Sequence, residues 1–127
     1  MKRIQRKRTK GWKMPENTIY VGRPSKWGNP IKLDGDCIFI NANYRRKIFS
    51  PWVFFNVGDE EDIVYFFEKL FDGTEFYNVD LQYWSDYFKK LNINKLTGKD
   101  LACWCPLDKP CHADILIKYA NRNDKSI

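Results

Sequence analysis

The stretch that most constrains this chain is Leu101–Ala120, L-A-C-W-C-P-L-D-K-P-C-H-A-D-I-L-I-K-Y-A. A short apolar run ends at Pro106, a proline-bounded loop follows, and apolar residues resume at Ala113, Leu116, Ile117 and Ala120 with helical spacing. The stretch predicts strand, loop and helix. Cys103, Cys105, Cys111 and the single histidine of the chain, His112, all fall within it. In an extended run Cys103 and Cys105 project from one face and Trp104 from the other. Pro110, Cys111 and His112 then occupy the first helical turn, where unpaired N–H groups and the helix dipole favour a thiolate or a bound anion.

Three chemistries fit that cluster. Cys103, Cys105, Cys111 and His112 form a legitimate zinc shell, although C-x-C-x5-C-H is not a common finger spacing and a straight strand holds alternate sulfurs too far apart unless Pro106 bends it. Cys111 beside His112 also fits a reactive thiolate, as nucleophile or substrate ligand. The third reading is packing: Cys103 and Cys105 as small apolar residues at a strand end, with His112 hydrogen-bonded near a helix cap. No cofactor is required for stability, because 127 residues bury enough apolar surface without metal or disulfide. Zinc is the cofactor to test.

Charge is unevenly placed. The chain carries +6, but Lys2, Arg3, Arg6, Lys7, Arg8, Lys10 and Lys13 all precede the first acidic residue, Glu16, so the remainder is at −1. Residues 1–17 therefore read as a basic arm on a nearly neutral body, suited to clamping phosphate or anchoring nucleic acid. A disordered solubilising tail is the alternative. No apolar run is long enough to span a membrane, and the basic start lacks the apolar region of a signal peptide, so a cytoplasmic protein with reduced cysteines is expected.

After Thr18–Gly22, a β-prone run expected to be the first core strand, comes R-P-S-K-W-G-N-P. Pro24, Gly28, Asn29 and Pro30 set turns, while Arg23, Ser25, Lys26 and Asn29 offer donors to an anion around Trp27. Trp12 and Trp27 each sit among basic residues and a glycine, where an indole can stack on a base. Ile31–Asn41 reads as a hairpin around Asp34-Gly35, with Cys37 a filler on it. The piece from Asn43 to Gly58 has no clear assignment and suits an insertion covering the sheet. Helices are predicted at Glu60–Phe71, with Asp59 as N-cap, and at about Asp80–Leu91.

The order strand, hairpin, helix, helix, strand, helix predicts a small Rossmann-like α/β sandwich, two- or three-layered, with a mostly parallel sheet and an inserted hairpin. One domain should cover residues 18–122, with 123–127 frayed. If the Thr18 strand and the cysteine strand lie side by side and parallel, both loops leave the carboxyl edge of the sheet, where such folds place ligands.

Three pieces, R-I-Q-R-K-R-T-K-G-W-K-M-P, Y-V-G-R-P-S-K-W-G-N-P and G-K-D-L-A-C-W-C-P-L-D-K-P-C-H-A-D-I-L, resemble a small phage and bacterial family known as a domain of unknown function. The resemblance implies that arm, first loop and Cys/His loop belong to one pattern. It marks Arg23, Ser25, Lys26, Trp27, Asn29, Cys105, Cys111 and His112 as site candidates. More loosely, the C-x5-C-H entry to a helix looks like a second α/β family suspected of nucleotide chemistry.

These readings converge on a protein that binds a nucleotide, nucleoside or nucleic-acid end and acts on it. Arg6, Arg8, Arg23 and Lys26 are expected to hold phosphate, with Ser25 and Gly28 in the same cradle and Trp12 on the arm. Trp27 is expected to stack on the base and Asn29 to bond the base or sugar, while Cys111 and His112 react or polarise. N-glycosidic cleavage or ribosyl transfer, the work of a nucleoside hydrolase or glycosyl transferase, is the reaction class expected, because such sites need positioning and few catalytic groups. Asp108 and Asp114 are the nearest carboxylates for a proton. The alternatives are a non-catalytic zinc module that binds DNA or RNA, and a phage accessory protein that sequesters a nucleotide or a host partner.

Overall fold

In the computed structural model the described residues are 1–34, 37–40, 52–55, 59–77 and 79–124. They form a mixed α/β protein whose internal contacts fall into two units, Met1–Gly28 with Asn92–Ile127, and Asn29–Leu91.

The first unit holds a three-stranded sheet of β1 (Arg3–Gln5), β2 (Thr18–Tyr20) and β6 (Asp100–Cys103), in the order β1-β6-β2. Both neighbours run parallel to β6, with Gln5 opposite Cys103 and Tyr20 opposite Ala102. Leu101, Ala102 and Cys103 are all buried, as expected of a central parallel strand covered on both faces. Thr18–Tyr20 is thus adjacent to the cysteine strand, as the sequence predicts, and the pair meets the condition of being parallel, with Thr18–Tyr20 as an edge strand. A larger correction concerns the basic arm. Its residues Arg3–Gln5 are the opposite edge strand, and the ladder continues through the Arg6 N–H to the Cys103 carbonyl at 2.7 Å.

Helix α3 (His112–Asp124) lies against β1, β6 and a 3-10 turn at Ile93–Leu96, burying Ala113, Ile115, Leu116, Tyr119 and Ala120. It runs to Asp124, beyond the fraying point expected at residue 123. Asn17, at a φ of 57°, ties the sheet's entry to the Gly98 turn: its Nδ2 donates to the Gly98 carbonyl at 2.9 Å, and its carbonyl accepts from the Asp100 N–H at 3.0 Å. Asparagine tolerates that left-handed conformation better than most residues.

In the second unit, β3 (Ile31–Asp34), β4 (Cys37–Ile40) and β5 (Trp52–Phe55) form an antiparallel sheet in sequence order, with Asp34 opposite Cys37. The predicted hairpin is therefore present; its tip at residues 35–36, the Cys37 side chain and residues 41–51 and 56–58 lie outside what is described. Helix α1 (Glu60–Lys69) begins with a reciprocal cap between Asp59 and Asp62, packs on β3, and ends two residues before the predicted Phe71. Helix α2 (Val79–Leu91) follows, with Phe67, Phe71 and Phe88 in mutual ring contact at 5.1–5.4 Å. The buried Ser85 hydroxyl donates to the Leu70 carbonyl at 3.1 Å.

Candidate functional site

Because β1, β2 and β6 point the same way, the chain leaves all three at one edge of the sheet. Arg6–Arg8, Val21–Gly28 and Trp104–Cys111 therefore emerge together in the first unit. The sequence predicts the last two as neighbours but gives no sign that the first is a strand exit.

The Cys/His loop is bent back on itself. Past Cys103 the chain turns at Pro106–Lys109, closed by the Lys109 N–H to the Pro106 carbonyl at 3.1 Å, and returns to Cys111 immediately before α3. Cys103 Sγ and Cys111 Sγ stand 3.0 Å apart, and the sulfurs of Cys103, Cys105 and Cys111 all lie within 4.8 Å of one another. All three are free thiols. The obstacle foreseen for alternate strand residues disappears because β6 stops at Cys103, so Cys105 is already in the turn.

His112 is held differently. Its Nε2 donates to the Val21 carbonyl at 2.7 Å, since a carbonyl can only accept. This bond joins the helix start to the exit of β2. Nδ1 then faces Cys111 Sγ at 3.6 Å, so one proton is shared between thiol and imidazole. Of the four residues expected as a possible zinc shell, the three cysteines form the close group, and His112 lies beside Cys111.

The thiols do not titrate alike. Cys103 is pushed far up by its hydrogen bonds with Cys105 and then Cys111, with burial adding to both. Cys111 is lowered, chiefly because Cys103 donates to its sulfur, with His112 helping and Cys105 and burial opposing. Negative charge in the cluster therefore settles on Cys111. Burial tempers its expected role, however: Cys111 is 1% exposed and His112 8%, and it is Cys105 that is half-buried.

A residue that no sequence motif singles out fixes the loop. Arg3, from β1, points its Nη2 at the carbonyls of Pro106, Leu107 and Lys109 at 3.1, 2.7 and 2.9 Å, and its Nη1 lies 3.3 Å from Asp114 Oδ2. One nitrogen of the guanidinium thus meets three carbonyls while the other meets a carboxylate. The signal is hidden in the sequence because Arg3 is one of seven cations ahead of the first acidic residue. Asp114, a carboxylate expected to be available for proton transfer, is engaged in this clamp.

The second loop is tightly wound by Ser25 N–H to the Gly22 carbonyl at 2.8 Å and Gly28 N–H to the Ser25 carbonyl at 3.0 Å. A Cβ on Gly28 would meet the Ser25 oxygen at 3.2 Å and Arg23 Cα at 3.3 Å. Tyr20 donates its hydroxyl to the Arg23 carbonyl at 2.6 Å. The exposed Arg23 guanidinium is lowered by partial desolvation, against which Cys105, Cys111 and Tyr20 attract it, so it stands within electrostatic reach of the sulfur corner. Lys26 is exposed, and the Ser25 hydroxyl is buried without a hydrogen-bond partner.

Two residues expected to contact a ligand are buried. Trp27 is 2% exposed, so its indole fills the interior and has no face to offer a base. Asn29, 5% exposed, belongs to the second unit, where Oδ1 accepts from the Ile31 N–H at 2.9 Å and Nδ2 donates to the Ile63 carbonyl at 3.3 Å. Those bonds tie the start of β3 to α1. Trp12 sits half-buried in a turn closed by its own N–H to the Thr9 carbonyl.

The exposed indole at this edge is Trp104, 38% exposed, whose place in an apolar run suggests core and not surface. The Arg6 guanidinium lies 5.0 Å from its centroid and 4.7 Å from that of Tyr20, and Arg8 lies 4.8 Å from Trp104. Arginine–aromatic stacking of this kind holds cations at fixed positions on a surface. Arg6 and Arg8 are thus brought to the sulfur edge, but on a strand exit and not on a free arm.

Among the described residues no helix is long and apolar enough to cross a membrane. Comparisons with curated proteins and with solved structures each find no match. The model of one family, Domain of unknown function (DUF4326), matches residues 4–122, taking in all three strand exits and both units, and the chain belongs to that family.

Proposed function

We propose that this protein binds a nucleotide, nucleoside or nucleic-acid end at the carboxyl edge of its parallel sheet and acts on it. The observation that carries this reading is the convergence there of Arg6, Arg8 and Arg23 with Trp104 and the three-cysteine corner. Nucleic-acid sites pair cations that take phosphate with aromatic or guanidinium planes on which bases stack. Trp104 and its arginines take the stacking role expected of Trp27, and Arg23 holds phosphate next to Cys105. The reaction class is N-glycosidic cleavage or ribosyl transfer, in which the protein chiefly holds the sugar in place while the base departs. His112 and Cys111 share the proton available at that point.

Melting temperature tests the reading. Nucleoside monophosphates and short oligonucleotides should raise it for the wild type, and Arg23→Ala should remove the rise for mononucleotides. No rise with any nucleotide would refute it. Affinity for a short single strand should also fall with salt, and Arg8→Ala should reduce the logarithmic salt slope by about 0.7 for each phosphate it no longer meets.

A second reading is a non-catalytic, zinc-containing module that binds DNA or RNA. It is favoured by the proximity of the three sulfurs and by the burial of Cys111, and it uses the same Arg6–Trp104–Arg8 surface. Turnover of a nucleoside or nucleotide by the purified protein separates the two.

A further inference from the structure

The structure assigns the three cysteines to a metal site that leaves one coordination position open: Cys103, Cys105 and Cys111 bind a single zinc ion, and His112 supports Cys111 from outside the shell. The inference adds a chemical group to the site proposed above but stands on its own geometry.

Sulfur–zinc bonds of about 2.3 Å in a tetrahedron hold sulfurs about 3.8 Å apart. The three sulfurs here lie within 4.8 Å of one another, with the shortest pair at 3.0 Å, so that pair need part by only about 0.8 Å to seat the ion. The anchors are stiff: Cys103 ends the central strand, Cys111 precedes the first turn of α3, and Arg3 fixes the loop between Cys105 and Cys111 by three carbonyls. A set of thiolates selects a soft or borderline ion and disfavours magnesium or calcium.

His112 decides the class of site. With Nε2 committed to the Val21 carbonyl, Nδ1 is turned to the Cys111 sulfur, and the imidazole lies outside the group of mutually close ligand atoms. It serves as a hydrogen-bonding partner of a ligand, a role that orients the sulfur and tunes its charge. Structural zinc sites close all four positions with protein, whereas three protein ligands leave the fourth for water or substrate. Of the three ligands Cys105 alone is half-buried, Cys103 and Cys111 being buried, so water or substrate would reach the ion beside Cys105. On binding, the metal displaces the Cys103 and Cys105 thiol protons to solvent, the proton between Cys111 and His112 stays there as Nδ1–H···Sγ, and no redox change occurs.

The test is metal analysis of full-length protein from zinc-supplemented expression, with cobalt(II) as a spectroscopic replacement. One equivalent of zinc is expected, lost in Cys105→Ser and Cys111→Ser variants that keep their far-ultraviolet dichroism. His112→Asn should keep the stoichiometry with affinity about 10- to 100-fold weaker. The cobalt form should show sulfur-to-metal charge transfer, and its visible bands should move on adding azide. A protein with no stoichiometric metal, a His112→Asn variant as metal-free as the cysteine variants, or cobalt bands indifferent to azide would each overturn the assignment. Should the cysteine variants fail to fold, wild-type metal content and the cobalt spectrum still decide. A metal-free protein that melts higher with nucleotides would sink this inference alone, and a zinc protein indifferent to every nucleotide would sink only the nucleotide reading.

Discussion

Replacing Arg3 with alanine should loosen the Cys/His loop without touching a cysteine. Nη2 has two hydrogens for three carbonyl acceptors, at 2.7, 2.9 and 3.1 Å, so the arrangement amounts to about two full charge-assisted bonds. Such bonds are worth about 1.5–3 kcal/mol each when buried, but these carbonyls lie in an exposed loop that water can resolvate, and about 1 kcal/mol each is the fair figure. The Asp114 contact adds little, roughly 0.5 kcal/mol at most, because that carboxylate is 51% exposed and screened. The total, about 2–2.5 kcal/mol, corresponds to a fall in Tm of about 8–10 °C for a chain of this size. Thermal and urea unfolding followed by far-ultraviolet dichroism would measure it, and Arg3→Lys should recover only part of it, since one nitrogen cannot stand both at the carbonyls, where Nη2 is, and at Asp114, where Nη1 is. A change in Arg3→Ala below about 0.5 kcal/mol would refute the clamp.

Further expectations concern the neighbouring elements. Gly22→Ala brings a Cβ within 2.5–2.8 Å of the Tyr20 ring and hydroxyl, so it should displace the tyrosine from the Arg23 carbonyl and cost about 1–3 kcal/mol in chemical denaturation. Asp59→Ala removes one half of the reciprocal cap on α1 and should cost about 1 kcal/mol by the same measurement. In metal-free protein, the ultraviolet absorbance of one thiolate should rise below the ordinary thiol range of about 8.5 and vanish in Cys111→Ser, because the Cys103 hydrogen bond holds Cys111 low. The stability this lends is fully present above the unfolded pKa of Cys111 and is lost as pH falls through the lowered folded value.

The local chemistry of the fold was legible because each signal was short-range. Asp59 before an apolar helical stripe, Asp34-Gly35 between β-prone runs, and Pro106 after an apolar strand each act within a few residues, and α1, the β3–β4 hairpin and the turn after β6 follow from them. That β2 and β6 lie side by side was also expected from the order of elements, whereas their parallel direction entered only as a condition. What was not legible depends on partners distant in sequence. Arg3 and Arg8 look alike in a basic run, yet one is clamped on carbonyls 103 to 106 residues away and the other lies over Trp104. Trp27 and Trp104 differ in the opposite sense to their flanking residues: the basic turn buries its tryptophan, and the cysteine loop exposes the other. His112 next to Cys111 suggested a fourth ligand, and only the position of the Val21 carbonyl reveals that its imidazole is directed elsewhere.

The most direct test of the central claim, that the Arg23 loop and the cysteine loop hold one ligand between them, is photo-crosslinking with an azido-nucleotide followed by peptide mapping. Crosslinks concentrated in residues 20–28 and 104–112, competed by unmodified nucleotide and weakened by Arg23→Ala, are the predicted result. Crosslinks confined to residues 59–91, or spread over the chain without competition, would contradict it.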